Sequence, residues 1–482
     1  MRSGLFRIMR TLTAKEMKSF ERFLASPYHR AEKNCLPLYE LLKRKYPKFR
    51  EEEIEYEKIY SELYPGKEYK KQVVWNLISA LEKYALSFLE HEALKKDEFQ
   101  SREMRINELL HRKLSHDALS ELNGIEDFFK GRLIDFNYFR HRIRQGDNRI
   151  NFYQAENKNH LLPDIFTESM EYRILSFLKD LKASLEDQQF FVEMYNIKYK
   201  FNLPEKLAKS IDLERIIEYC EENKFEYLYY IRIIYHSIMI ILKNDEPEHF
   251  FKLRNLFNEN HHRFDKREKR NMIIPIVNYC VRHRYSREHD YKRIMFELNE
   301  FRLSEGLAFY PGNQIPKLLY TQILLNAISL NELSWSREFV AKYTEMLHPD
   351  LRSSIGSLAL AFLSFEEKKY NDVLKNLNEV NYTDVRDKIH VRMLTAKTYY
   401  ELNENETLLN YIDSSRHFLQ NNSSINDSRK KLYGSMLNNL SQLVNLRSKG
   451  DTSQKNIFRQ AIMNSEQNEN VSWIMKKIDE LS

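Results

Sequence analysis

The 482-residue chain is long enough for about three ordinary domains, or for one array of stacked repeats, which grows by addition. Glycine (10 residues) and proline (11 residues) are each roughly 2% of it, against about 7% and 5% on average, so long helices with short connections are expected and strands are not. A net charge of +6, from 76 basic and 70 acidic residues, argues against the concentrated basic face of a dedicated nucleic-acid protein.

In chain order, the first twenty residues hold no apolar run of signal-peptide length, and the chain reads as cytoplasmic. Residues 1–95 read as an N-terminal helical region. Thr13 with Glu16 forms a capping box, followed by a helix with Met17, Phe20, Phe23 and Leu24 on one face. That helix stops before Ser26-Pro27, because a residue preceding proline disfavours the helical region. A second helix carries Leu36, Leu38, Leu41 and Leu42 to near Pro47. A third, about 51–63, starts in the acidic run Glu51, Glu52, Glu53, which suits a solvated helix N-terminus. It ends at Tyr64-Pro65-Gly66-Lys67, and a fourth helix covers about 69–92.

Residues 96–160 read as a helical connector with a basic, aromatic run, and a loop or weak helix is expected around Asp147, Asn148 and Asn151. Residues 161–450 read as helical hairpins, about 164–200, 205–243, 246–283 and then three regular ones over 316–420. The apolar stretch Tyr227 to Leu242 is interrupted by Arg232 and His236 and is shorter than the ~20 residues of a membrane span, so it reads as a buried repeat helix. A helix over about 425–447 covers the last hairpin. Residues 451–482 read as a polar tail, loose to about 470, with a short amphipathic helix placing Val471, Ile474, Met475 and Ile478 at helical spacing beside Trp473. Cys35, Cys220 and Cys280 have neither metal-ligand nor disulfide-framework spacing and read as small buried residues in a reducing compartment.

Ala327, Ala361 and Ala396 recur at steps of 34 and 35 residues, each in an apolar helix followed by a polar break and a second apolar helix. A small residue at such a position lets two helix backbones approach closely. A period near 34 is that of tetratricopeptide hairpins, and LALAFLSFEEKKYNDVLKNL and LTAKTYYELNENETLLNYI resemble those repeats. Phe339, Val373 and Leu408 stand where the family usually has a second small residue, and Ser334, Lys368 and Asn403 where it has a turn glycine, so the repeats are degenerate. The chain also resembles a set of helical-repeat proteins of Bacteroidota-type bacteria, through KEMKSFERFLASPY, LYPGKEY, NYCVRHRYSREHDY and the two repeats. These resemblances imply an all-α fold, an α-solenoid or TPR-like superhelix, with no activity or ligand attached.

The motifs of common chemistry are missing from the sequence. Pro65-Gly66-Lys67 lacks the first glycine and the Ser or Thr of a phosphate loop, no GxSxG occurs, and His91-Glu92 is followed by Ala-Leu-Lys rather than completing HExxH. His261-His262 has no further ligand spaced for a metal. No catalytic, cofactor or metal residues are therefore assigned, and a non-enzymatic interaction protein is expected. The first helix of each tetratricopeptide hairpin lines a concave groove, and carrying those positions over gives Asn331, Phe362, Phe365, Lys397 and Tyr400 as a surface for a peptide or protein partner. The alternative is a nucleic-acid regulator using Arg140, Arg142, Arg144 and Arg149 among the rings of residues 136–153, since basic groups with stacking rings bind single strands.

Overall fold

A computed structural model describes residues 4–29, 32, 34–49, 54–195, 197–286, 288–382, 384–449, 452–465 and 469–481. Among them the protein is all-α, with 24 α-helices, no strand and two isolated β-bridges. It divides into two compact units, one of Met1–Arg132 with His141–Ser169, the other of Leu133–Arg140 with Met170–Ser482.

The first unit holds α1 (Gly4–Thr11), α2 (Ala14–Ala25), α3 (Cys35–Lys43), α4 (Tyr56–Leu63), α5 (Lys71–Lys96), α6 (Glu98–His111), α7 (Ser115–Phe129) and most of α8 (Tyr138–Ala155). The capping box forms: Thr13 accepts from the Glu16 N–H, and Glu16 accepts from the Thr13 N–H at 2.9 Å. The face it starts, Met17, Phe20, Phe23 and Leu24, is buried in a core shared with Leu38, Tyr39, Leu81 and Phe88. Glu51, Glu52 and Glu53 lie outside the described residues. Of the loop or weak helix expected around Asp147, Asn148 and Asn151, the structure has the helix. Helix α8 runs through these residues with Asn148 buried, and at Gly146 it comes so close to the next helix that a Cβ would stand 3.0 Å from the Ser169 side chain.

Helix α9 (Leu162–Tyr195), which belongs to the second unit from Met170 on, is a single 34-residue helix, roughly 50 Å long, where a hairpin over 164–200 was expected. Its buried residues Ile165, Tyr172, Leu175, Leu178, Leu181 and Leu185 recur at helical spacing with no glycine between them, while Phe166, Met170, Ile174 and Phe177 stay exposed. The unit continues with α10 (Leu203–Ser210), α11 (Leu213–Glu222), α12 (Leu228–Leu242), α13 (Pro247–Asn260), α14 (Lys266–His283), α15 (Tyr291–Ser304), α16 (Lys317–Ser329), α17 (Leu333–Tyr343), α18 (Pro349–Glu366), α19 (Tyr370–Asn378), α20 (Val385–Glu401), α21 (Asn405–Asn421), α22 (Asp427–Lys449), α23 (Thr452–Asn464) and α24 (Glu469–Glu480). Helices pair as α12/α13, α14/α15, α16/α17, α18/α19 and α20/α21. The upstream pairing is thus one helix out of step with the hairpins expected at 205–243 and 246–283. First helices also pack on first helices: α12 on α14, α16 on α18, α18 on α20, and α20 on α22. The phase alanines Ala327, Ala361 and Ala396 are fully buried.

The turns explain how the pairs close with so little glycine. Asn331, Lys368 and Asn403 take left-handed φ of +61°, +60° and +62°. The next residue's N–H then reaches back to Ala327, Ser364 and Tyr399 carbonyls at 2.9–3.0 Å, satisfying the helix end. Lys368 and Asn403 were expected at the glycine position; in the α16/α17 pair the residue is Asn331 rather than Ser334. The tail also differs from expectation, since α23 is a formed helix with Phe458 and Ile462 buried, while α24 docks through Ile474 and Ile478 as its spacing predicts.

Candidate functional site

The four arginines of the basic, aromatic run already have partners. Arg140 bonds Asp180 at 3.1 and 3.2 Å. Arg142 lies 3.7 Å from Glu126 and stacks over Phe129 at 4.1 Å. Arg144 forks onto the buried Glu103, with Nε at 2.7 Å, and Arg149 lies 3.4 Å from Glu126 and 3.6 Å from Glu168. The interleaved rings of Tyr138, Phe139 and Phe152 are core.

The five groove positions do not form one exposed face. Asn331 is a turn residue between α16 and α17, not a position on a first helix. Phe362 is half-buried, edge-on to His390. Phe365 and Tyr400 are only 7% and 3% exposed, which corrects their assignment as accessible anchors. Their cover is the chain's own α24. Trp473 packs on Tyr400 with ring centroids 5.5 Å apart, and the Lys397 ammonium sits 5.5 Å from the Trp473 ring. Glu401 accepts from Trp473 Nε1 at 3.1 Å and from Lys477 Nζ at 2.8 Å. This stretch of first helices therefore has an occupant inside the same chain.

Farther upstream the first-helix face is open. A cavity of about 450 Å³ is walled by α12, α14 and α16, with α9 along one side and Phe136 and Tyr310 at its edge. Phe136 is held there because the segment before α8 bonds the turn before α14: Ile134 N–H donates to Arg263 O at 2.9 Å, and Asp265 N–H to Ile134 O at 3.0 Å. The lining is apolar at Ile233, Ile234, Met272 and Leu319, and Ile274, Leu318 and Tyr310 remain exposed. The volume lies within the ~300–1,000 Å³ of small-ligand sites.

Charged residues also line it, and most are matched. Lys179 bonds Glu268 at 2.5 Å and the Phe136 carbonyl at 2.8 Å, and Lys182 pairs with Glu186 at 2.8 Å. Burial raises the Glu186 carboxyl above its ordinary value against the pull of Lys182. Asp180 is held by Arg140, Asp187 is exposed, and the exposed Arg267 lies over the Phe136 ring at 4.0 Å. Arg302 is different. It is 8% exposed, and among the described residues its one side-chain bond runs to Asn299 Oδ1 at 3.5 Å and its Nε is buried without a partner. Burial lowers its pKa to about 10. A place in the last turn of α15 is favourable for a cation by about 0.3–1 kcal/mol, less than the several kcal/mol that burying an uncompensated ion costs.

Neither the cavity nor Arg302 was foreseen. In the sequence Arg302 is one cation near a helix end, where a solvated arginine is favourable, and no local signal marks it. No known protein family, no curated protein and no solved structure matches this chain.

Proposed function

We propose that this chain is a non-enzymatic interaction protein, a degenerate TPR-like array that holds a peptide or protein partner on the first-helix face of its hairpins. The observation that carries the reading is the cavity between α9, α12, α14 and α16, with Ile274, Leu318 and Tyr310 exposed at it, on a face whose downstream part is filled by α24. Pairing of helices with first helices packed on first helices is what a curved repeat array requires. The free, buried cysteines suit a reducing, cytoplasmic setting, and among the described residues no helix is long and apolar enough to cross a membrane.

A random peptide library panned on the full chain tests this. Enriched peptides should bind wild type at least about tenfold more tightly than Leu318→Glu or Ile274→Glu, as removal of an interface anchor costs on the order of 1–3 kcal/mol. Because both residues are exposed, the variants should melt with wild type. Peptides that bind all three proteins equally would show that the cavity is not the site.

A further inference from the structure

We propose that the cavity takes a carboxylate carried on an apolar body, with the carboxylate paired to Arg302; this rests on reading the cavity as the ligand site. Charge balance among the buried side chains of the lining carries it. Among the buried charged residues of the lining, Lys179 has Glu268 and Lys182 has Glu186. Arg302 has no carboxylate within ion-pair distance among the described residues, and its side-chain hydrogen bond goes to a neutral amide at 3.5 Å. The buried charges thus leave one cation uncompensated, which a single anion from outside completes.

The chemistry of that anion follows from the wall. A guanidinium offers a planar fork that fits a carboxylate bidentately. A phosphate dianion would meet the buried Glu186 and Glu268 carboxylates with only one free cation to offset it. Ile233, Ile234, Met272 and Leu319 give the lining its apolar surface, beside the amides of Asn271, Asn278 and Gln322, so the body bearing the carboxylate is mainly apolar. Two sources share this chemistry: the C-terminal residue of a peptide, and a free aryl or alkyl carboxylic acid.

The test is isothermal titration of the full chain with N-acetyl-Gly-Ser-Gly-Phe as free acid and as carboxamide, and with 3-phenylpropionate and 3-phenylpropionamide. We expect at least one acid to bind about tenfold or more tightly than its amide, since a hydrogen bond to a charged group contributes about 1.5–3 kcal/mol. Binding by the peptide acid alone assigns the site to chain termini; binding by both assigns it to small acids as well. Arg302→Met should remove the preference for acid over amide and melt no lower than wild type, because it deletes a buried unmatched charge. Arg302→Gln serves the same comparison if the Met variant does not fold. Equal binding of acid and amide overturns the proposal while leaving the cavity reading intact, provided Leu318→Glu weakens both. Failure of both acids to bind overturns the proposal as well, and the peptide-library result then decides the cavity reading by itself. A lower melting temperature for both Arg302 variants, with acid preference retained, assigns Arg302 to structure.

Discussion

Lys368 holds a left-handed backbone conformation, φ +60°, that a side chain with a Cβ adopts at a cost of about 1–2 kcal/mol. The turn needs it, because only that conformation brings the Lys369 N–H back to the Ser364 carbonyl at 2.9 Å. Lys368→Gly should therefore stabilise the protein by about 1 kcal/mol, and Asn403→Gly by less, since asparagine tolerates this region better. Urea unfolding midpoints of the two variants check the order. A second residue-scale device is the pair His236 and His249, whose Nδ1 atoms lie 3.0 Å apart, one ring donating to the other. Burial, aided by His249, Lys252 and Arg232 against Glu248, lowers His236 to about 4 from its ordinary 6.5. Burial also lowers His249, together with Lys243 and Lys252 and against Glu246 and Glu248. The folded pair stays neutral where the unfolded chain takes up protons, so its contribution is complete above about pH 6.5 and is lost as pH falls toward 4. For His236 that loss reaches about 3 kcal/mol. Melting temperature should fall over this window, and less steeply in the His236→Asn/His249→Asn double variant.

Among the elements, α24 shows how a local pattern becomes a tertiary contact. Its spacing puts Ile474 and Ile478 on one side, both fully buried, and Trp473 and Lys477 meet Glu401 of α20. Ile474→Ala should cost about 2–5 kcal/mol locally, the range for truncating a buried aliphatic side chain. Hydrogen exchange should then quicken in Glu469–Glu480 and around Tyr400, while α12 and α14 keep their protection. Unchanged exchange around Tyr400 would mean that α24 does not cover it in solution. At the other end of the chain, Thr13→Ala removes the acceptor for the Glu16 N–H and should lower stability by about 1 kcal/mol, seen as an earlier thermal transition.

For the whole molecule, 76 basic residues nearly balance 70 acidic ones, so a basic group has carboxylates available as partners. Arg140, Arg142, Arg144 and Arg149 each face a carboxylate, so phosphate contact at this stretch must first break an existing ion pair. Mobility-shift titration with single- and double-stranded DNA and RNA at low salt should show no complex that Arg140→Ala and Arg144→Ala together abolish. A complex with a steep salt dependence, lost in that double variant, would restore the nucleic-acid reading.

The features legible in the chain alone are local. The glycine and proline scarcity reads directly as an all-α chain. The faces of α2 and α24, the capping box at Thr13 and the 34–35-residue step of Ala327, Ala361 and Ala396 follow from periodicity, because apolar spacing along a helix dictates which side is buried. What covers each side was decided only in three dimensions. Phe365 and Tyr400 have the same spacing whether they meet solvent or Trp473, and Trp473 lies 72 residues from its partner Glu401. Whether 162–195 folds back as a hairpin or runs on as α9 depends on what Leu175, Leu178, Leu181 and Leu185 pack against, which their spacing does not state. The cavity exists because α9 lies beside α12, α14 and α16, and Arg302 is uncompensated because none of those helices brings it a carboxylate. Charge pairing between distant segments is a property of their placement, and composition or local pattern carries no record of it.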